Sequence, residues 1–170
     1  MEIIGDLLMK IFESGLVYAM MGAATAVVLS GIGSAVGITS GAKVATGAMT
    51  EDPQNFGKYL VLVALPGTQG IYGFVGAFLV ITKLTAAGAA AATMATSSGL
   101  QIMWACFPIA FSGLVSAMYQ GKVCAGGIAL TSKQPAESGK ALVLGVFVEF
   151  YAILGLITTI FLLNGINIGQ

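Results

Sequence analysis

The sequence predicts an all-α membrane protein with four transmembrane helices, arranged as two tandem hairpins that duplicate one another. Composition, long apolar stretches and an internal repeat lead to this fold class. The chain of 170 residues is 57% hydrophobic and 8% charged, with a mean hydropathy of +0.95. Soluble domains carry about 25% charged residues, and so small a polar fraction cannot cover a water-facing globule. We therefore expect an integral membrane protein.

Composition also excludes several functions. The net charge is zero and the chain contains neither Arg nor His, which excludes a nucleic-acid footprint, histidine-based catalysis and His-ligated metal sites. The two cysteines, Cys106 and Cys124, lie on one predicted helix, separated by about 27 Å at the helical rise. They cannot form a disulfide with each other, so we interpret them as small apolar packing residues.

Four apolar stretches are long enough to cross a membrane as helices, which takes about 20 mainly apolar residues. Polar segments containing proline separate the first stretch from the second and the third from the fourth, and proline ends a helix. We take the whole chain, 1–170, as one membrane domain with helical hairpins at 14–84 and 99–164. The four stretches cover about 14–48, 57–84, 99–130 and 137–164.

The two hairpins are copies of one another. Matches at one fixed shift along a whole hairpin are hard to obtain from shared hydrophobicity alone, so we infer a duplication in which both copies point the same way. The shift also pairs Glu149 with Gly67, which leaves one membrane carboxylate per four helices. Position i matches position i + 82 without a gap, and the matches include Ser30-Gly31 with Ser112-Gly113, Ser34 with Ser116, Pro53 with Pro135, Gly57-Lys58 with Gly139-Lys140, and Ile71 and Gly73 with Ile153 and Gly155.

The lysines indicate how the chain sits in the membrane. Only two of them, Lys10 and Lys83, lie away from the polar turns within the hairpins. Because cytoplasmic loops carry the excess of Lys and Arg, we expect both turns in the cytoplasm and both termini outside. The lysines toward the turns are Lys43, Lys58, Lys122, Lys133 and Lys140.

Small residues at every fourth position mark the first and third helices. Such stripes let helix backbones approach closely, whereas the second and fourth helices are bulkier. Thin helices on one side and thick helices on the other form a wedge, and wedges placed side by side close into a homo-oligomeric ring. Ordinary packing within a monomeric four-helix protein explains the same stripes and stays open as an alternative. The stripes are Gly33, Gly37 and Gly41, and Gly113, Ala117, Gly121, Ala125 and Ala129.

One carboxylate, Glu149, lies deep within an apolar stretch, where it costs roughly 2.5 kcal/mol or more unless a partner, cavity or ion faces it. Glu149 follows the proline of its turn by about four helical turns, and Gln120 precedes that proline by about as many. In the first hairpin, Thr68 and Gln69 follow the equivalent proline by a similar distance. Residues equally far from a turn lie at similar depth, so we expect these four side chains in one layer.

The layer offers five or six oxygen ligands and one negative charge, if a backbone carbonyl near Pro66 joins the side chains. Pro66 lacks an amide donor and bends its helix, which frees such a carbonyl. This set suits a small monovalent cation such as Na⁺, because a divalent ion lacks the second carboxylate that it normally recruits. Tyr72 lies one turn beyond Gln69, where its hydroxyl can donate to the carboxylate of Glu149.

Two simpler interpretations compete with an ion site. Gln and Thr in membrane helices often serve as interhelical hydrogen-bond donors and acceptors. Lys122 lies at nearly the depth of Glu149 and is a possible partner for it. However, Lys122 and Gln120 point about 200° apart on their helix, so both cannot face Glu149.

Three motifs closely resemble the duplicated proteolipid subunit of V-type ATPases, most strongly the K subunit of the bacterial sodium-pumping branch. They are LPGTQGIYGF at 65–74, SGLVSAMYQGKV at 112–123 and VEFYAILG at 148–155, and the resemblance extends over about 15–164. It implies a rotor-ring subunit that is not an enzyme by itself and has no organic cofactor. It also implies that Na⁺ is bound by Glu149, Gln120, Gln69, Thr68 and the carbonyl of Leu65, with Tyr72 holding the carboxylate.

The resemblance also implies partners. A stator membrane subunit would supply the arginine that this chain lacks, and a central-stalk subunit would contact the cytoplasmic turns, in a bacterial plasma membrane. Other functions stay open at this point. The same rotor could carry H⁺, which needs only the carboxyl group. A small secondary transporter with a coupling glutamate and a purely structural pore-forming ring are further alternatives.

Overall fold

The computed structural model describes Ile4 and residues 11–168. It contains four helical spans that are long and apolar enough to cross a membrane: Gly15–Glu51, Pro53–Ala87, Thr96–Lys133 and Pro135–Gly165, called the first to fourth spans below. No β-strand occurs between residues 11 and 168. The predicted all-α fold with four transmembrane helices is confirmed.

The first and third spans are each one continuous helix, whereas the second is interrupted. It consists of a 3₁₀ turn Pro53–Asn55, a helix Phe56–Ala64, a second 3₁₀ turn Leu65–Gly67 and a helix Thr68–Ala87. The interruption falls where Pro66 removes an amide donor from the helical ladder, which is the position where the sequence predicts a bend. A short helix Ala89–Ala92 follows, and the fourth span combines a 3₁₀ turn Pro135–Glu137 with a helix Ser138–Gly165.

The two proline-containing turns lie side by side. The ammonium group of Lys58, at the start of the second span, donates a 3.0 Å hydrogen bond to the carbonyl of Pro135 in the other turn. Within the first turn, Asn55 and Tyr59 both donate to the carboxylate of Asp52. Two turns at the same end of the molecule are what a duplication with both copies pointing the same way predicts.

The first and third spans pack against each other along their lengths, and glycine makes this approach possible. A Cβ atom added to Gly33 would lie 2.5 Å from the carbonyl oxygen of Leu114, and one added to Gly22 would lie 2.6 Å from the Cα of Met103. A Cβ atom on Gly121 would overlap the backbone of Gly37. The seam between these spans, called the inner seam below, therefore brings backbone against backbone, as the small-residue stripes predict.

The stripe on the third span serves this contact over part of its predicted length. Gly113, Ala117 and Gly121 are buried, but Ala125 is half-buried and Ala129 is exposed. A stripe at every fourth position drifts by about 40° per step relative to a straight partner, because four residues exceed one full turn of the helix. Beyond Gly121 the buried positions are instead Cys124, Gly127, Ile128 and Thr131. Both cysteines are free and buried, as packing residues should be.

Candidate ion-binding site

The carboxylate of Glu149 lies between the second and fourth spans. Its side chain is 8% exposed, and the hydroxyl of Tyr72 donates a 2.6 Å hydrogen bond to its Oε1 atom. Tyr72 lies on the helix that starts after the Pro66 interruption, one turn beyond Gln69. A donor at this distance fixes the rotamer of the carboxylate and leaves its second oxygen available.

Two fully buried glutamines connect the second, third and fourth spans. Gln69 Nε2 donates to Gln120 Oε1 at 2.6 Å, and Gln120 Nε2 donates to the carbonyl of Gly145 at 3.0 Å. Both side chains are 0% exposed. Because each amide NH₂ group donates one hydrogen bond to a neighbouring span, both amides are oriented by the protein, and Gln69 Oε1 is turned toward its neighbour Thr68.

The interruption at Pro66 supplies the remaining oxygen atoms. The hydroxyl of Thr68 donates to the carbonyl of Leu65 at 3.0 Å and approaches Gln69 Oε1 at 3.3 Å. The Thr68 oxygen therefore keeps its lone pairs for another partner, and the Leu65 carbonyl lies at the same end of the cluster. Hydrogen bonds thus join Leu65, Thr68, Gln69 and Gln120 in one cluster and Tyr72 with Glu149 in another.

Sequence reasoning missed two groups that support this layer. The amide of Gly70 donates at 2.8 Å to the hydroxyl of Ser34 in the first span, which stabilises the second span just after its interruption. The Gly145 carbonyl, which orients Gln120, is a backbone group and leaves little signal in a sequence. Ser34 could have been identified from the sequence, because it matches Ser116 in the internal repeat and a polar residue kept in both copies indicates a role.

The competing ion pair is not formed. Lys122 is exposed, and its ammonium group lies 4.6 Å from the ring centroid of Tyr119 on the same helix. In the part of the chain that the structure describes, the ion pair found is that of Lys140 with Glu137. Among residues 11–168, Tyr72 is the hydrogen-bond donor to Glu149, and no lysine forms an ion pair with its carboxyl group.

The chemistry of this layer is that of one carboxylate surrounded by neutral oxygens. Among the described residues, no three His, Cys, Asp or Glu side chains come together as a metal cluster would require. Neutral amide, hydroxyl and carbonyl oxygens are hard ligands, and one carboxylate balances one positive charge. The arrangement can hold a monovalent cation or a proton, and either would leave the layer without net charge.

The family model of the ATP synthase C subunit matches this chain twice, at residues 21–80 and at residues 103–162. Together the two matches cover more than half of the chain. The chain belongs to the ATP synthase C subunit family. The matched segments begin at positions 21 and 103, which is the same offset as that of the internal repeat. The duplication predicted from the sequence is therefore confirmed.

Individual relatives narrow the assignment. The V-type sodium ATPase subunit K of Enterococcus hirae is 42% identical over 150 residues, which cover 88% of this chain and 92% of the relative. The A-type ATP synthase subunit K of Methanocaldococcus jannaschii is 34% identical over 91% of this chain and 66% of the relative. The 16 kDa proteolipid of the V-type proton ATPase of Nephrops norvegicus is 33% identical over 85% of this chain and 89% of the relative.

This chain is a duplicated V-type ATPase proteolipid. It is a multi-pass membrane protein and a non-catalytic, ion-translocating subunit of a rotary ATPase, as the sequence predicts, and assembly into a ring fits its family. The chain is similar to a subunit of a sodium ATPase and to a subunit of a proton ATPase. These similarities therefore do not identify the transported ion, which depends on the residues around Glu149.

Proposed function

We propose that this proteolipid carries Na⁺ across the membrane as part of a homo-oligomeric rotor ring driven by ATP hydrolysis. The ion is bound by Glu149, Gln120, Gln69, Thr68 and the carbonyl of Leu65, and Tyr72 holds the carboxylate in place. The observation that carries the proposal is the fully buried Gln69–Gln120 pair, which is bonded to the carbonyl of Gly145, about one helical turn before Glu149. A proton needs only the carboxyl group, whereas two glutamines at this depth supply oxygens for a cation.

The hydrogen bonds of the layer connect three spans and still leave acceptor oxygens for a cation. Both glutamine NH₂ groups donate away from the carboxylate, to Gln120 Oε1 and to the Gly145 carbonyl. The Thr68 proton is used on the Leu65 carbonyl. Each NH₂ group thus has one N–H in a bond to a neighbouring span, while lone pairs of Thr68 and Gln69, the second lone pair of Gln120 Oε1 and one Glu149 oxygen remain for an ion.

Electrostatics explains how such a site couples rotation to transport. With Na⁺ bound, the layer is neutral and can face lipid at little cost. When it is empty, the charged carboxylate of Glu149 is costly to expose to hydrocarbon. The ring therefore turns through lipid only when loaded. Because the chain contains no arginine, the cation that displaces Na⁺ comes from a stator membrane subunit.

The distribution of lysines supports a membrane orientation for the chain and a surface for a central-stalk subunit. The lysines concentrated toward the two proline turns support an orientation with these turns in the cytoplasm and both termini outside, and we propose that the membrane is a bacterial plasma membrane. The turns lie side by side through Lys58, so they present a joint polar surface to a central-stalk subunit. The secondary-transporter and pore-forming alternatives gain no support from the family assignment.

Carbodiimide labelling tests the proposal. The reagent modifies a protonated carboxyl group within the membrane, so we expect it to label Glu149 alone. Sodium should protect Glu149 at neutral pH, and more sodium should be needed as the pH falls, because protons compete for the same carboxylate. Labelling that depends on pH and is indifferent to sodium would instead indicate an H⁺ rotor.

A matched pair of threonine variants sharpens this experiment. Thr68→Val removes a proposed ligand, and we expect it to raise the sodium concentration that gives half protection. Thr158→Val is the control, since Thr158 is an exposed threonine whose hydroxyl bonds only to the Leu154 carbonyl of its own helix. An equal effect of the two substitutions would contradict a ligand role for Thr68.

A further inference from the structure

The first span supplies no proposed ligand, yet it contacts the second span at the Pro66 interruption. A Cβ atom added to Gly37 would lie 2.7 Å from the Cβ of Pro66, so the absence of a side chain at Gly37 lets the proline ring lie against the first span. One helical turn away, the hydroxyl of Ser34 accepts a 2.8 Å hydrogen bond from the amide of Gly70. Residues three apart share a helix face, so one face of the first span contacts the interruption at two points.

The amide of Gly70 needs an acceptor from outside its own helix. Gly70 is the third residue of the helix Thr68–Ala87, and the first amides of a helix have no carbonyl of the same helix to bond to. The side chain of the N-cap residue, Gly67, supplies no such acceptor. Ser34 is buried, so bulk water does not replace its oxygen. The serine therefore caps the N-terminus of a helix that belongs to another span.

The capped turn carries three of the proposed ligands. Thr68 and Gln69 are the first two residues of the helix, directly before Gly70, and the Leu65 carbonyl belongs to the preceding 3₁₀ turn. The hydroxyl of Thr68 donates to this carbonyl at 3.0 Å. A bond at Gly70 therefore restrains the backbone from which these oxygens project. Ligands that are held in place before an ion arrives cost less free energy to order when the ion binds.

The internal repeat offers a comparison within the same chain. Val148 in the fourth span is the counterpart of Pro66, and the helix Ser138–Gly165 runs past it without interruption. Ser116 in the third span is the counterpart of Ser34. The two serines are buried to nearly the same extent, with 5% of Ser116 and 6% of Ser34 exposed. The two copies of the hairpin therefore share the serine and differ in the interruption.

The serine forms this interhelical bond in only one of the two copies. Ala152 is the counterpart of Gly70, but within a continuous helix its amide bonds to the carbonyl four residues earlier. The hydroxyl of Ser116 has no hydrogen-bond partner among the described residues. The bond from Gly70 to Ser34 is therefore a feature of the interrupted helix and not of hairpin packing in general.

We propose that Ser34 is a positioning residue for sodium, which caps the helix at Gly70 and thereby holds the oxygens of the interruption in the arrangement that binds the ion. This inference rests on the proposed function and adds that the first span, which supplies no ligand, sets the affinity of the site. A proton on the carboxyl group of Glu149 needs none of the oxygens at the interruption. Ser34 therefore affects the affinity for sodium and not the affinity for protons.

Ser34→Ala tests this inference, with Ser116→Ala as the matched control. The readout is carbodiimide labelling of Glu149, measured over a series of sodium concentrations at neutral pH and over a series of pH values without sodium. One neutral hydrogen bond corresponds to roughly 2-fold to 10-fold in a binding constant. We expect Ser34→Ala to raise the sodium concentration for half protection by about that factor and to leave the pH midpoint of labelling unchanged. Ser116→Ala should leave both midpoints unchanged, because its hydroxyl has no bond to lose.

The two titrations distinguish positioning of the ligands from a general loss of stability. If Ser34→Ala shifts the sodium midpoint no more than Ser116→Ala does, or shifts the sodium and pH midpoints together, the inference is wrong while the sodium proposal stands. If labelling of the parent chain is indifferent to sodium, the sodium proposal and the inference both fail. Should Ser34→Ala not assemble, Ser34→Cys provides the same comparison with Ser116→Cys as its control, because sulfur is a weaker acceptor than a hydroxyl oxygen.

Discussion

Replacing Gln120 with alanine distinguishes two roles for this side chain, that of an ion ligand and that of an interhelical hydrogen-bonding group. Gln120 is fully buried in the third span. Its oxygen accepts from Gln69 of the second span, and its NH₂ group donates to the Gly145 carbonyl of the fourth. The substitution therefore has one effect on sodium binding and another on stability, and the two can be measured separately.

Typical energies of polar contacts set the magnitude of each effect. A hydrogen bond or similar polar contact to a charged group contributes about 1.5–3 kcal/mol, so loss of the proposed Gln120 ligand should raise the sodium concentration for half protection by roughly 10-fold to 150-fold. Independently, the Gln69 amide loses its buried acceptor. An unsatisfied buried polar group costs about 1–3 kcal/mol, so the free energy of unfolding should fall by that order.

The assay is carbodiimide labelling of Glu149 at neutral pH over a series of sodium concentrations, with thermal unfolding measured on the same preparations. Gln101→Ala is the matched control, because Gln101 lies on the same span but is exposed. The control should leave both quantities unchanged. If Gln120→Ala lowers thermal stability yet leaves the sodium dependence of labelling as in the parent chain, Gln120 is an interhelical bond and not a ligand.

Further predictions concern the carboxylate, its donor and the inner seam. Glu149→Gln should abolish carbodiimide labelling and ion-coupled ATP hydrolysis while the ring still assembles; persistent labelling, mapped by peptide analysis, would contradict the site. Tyr72→Phe removes a hydrogen bond to the carboxylate, which contributes roughly 1.5–3 kcal/mol. The sodium concentration for half protection should therefore rise by about tenfold or more, and an unchanged titration would contradict an orienting role for Tyr72. Gly121→Leu should prevent ring formation, since even a Cβ atom there overlaps the Gly37 backbone; a ring of normal mass would refute the packing. Potassium should protect Glu149 poorly in the same titration, and equal protection by both ions would contradict a cavity sized for Na⁺.

Much of the fold could be predicted because it depends on patterns that can be read along the chain. Apolar length gives the spans, proline gives the turns, and the single fixed shift between the hairpins gives the parallel duplication. Counting residues from Pro53 and Pro135 was enough to bring Gln69 and Gln120 to the same depth, where they form a hydrogen bond, because the rise of a helix per residue is constant.

Other features depend on rotation about the helix axis, which distance from a turn does not give. The stripe on the third span was expected to reach Ala129, but its gradual drift around the helix turns that end outward and buries Ile128 instead. Ser34 was likewise not assigned a role, since its contact with the Gly70 amide depends on how the second span reorients after Pro66. Bonds to backbone groups, such as that of Gln120 to Gly145, require coordinates.

Equilibrium binding of radioactive sodium to the purified ring tests the central claim most directly. The ion layer predicts saturable binding of one Na⁺ per chain, because each chain has one membrane carboxylate and one set of neutral oxygens around it. Protons should compete with this binding, and Glu149→Gln should abolish it. A ring of normal mass whose Glu149 still reacts with carbodiimide, but which binds no sodium at any pH tested, would contradict the account and indicate a rotor that carries protons.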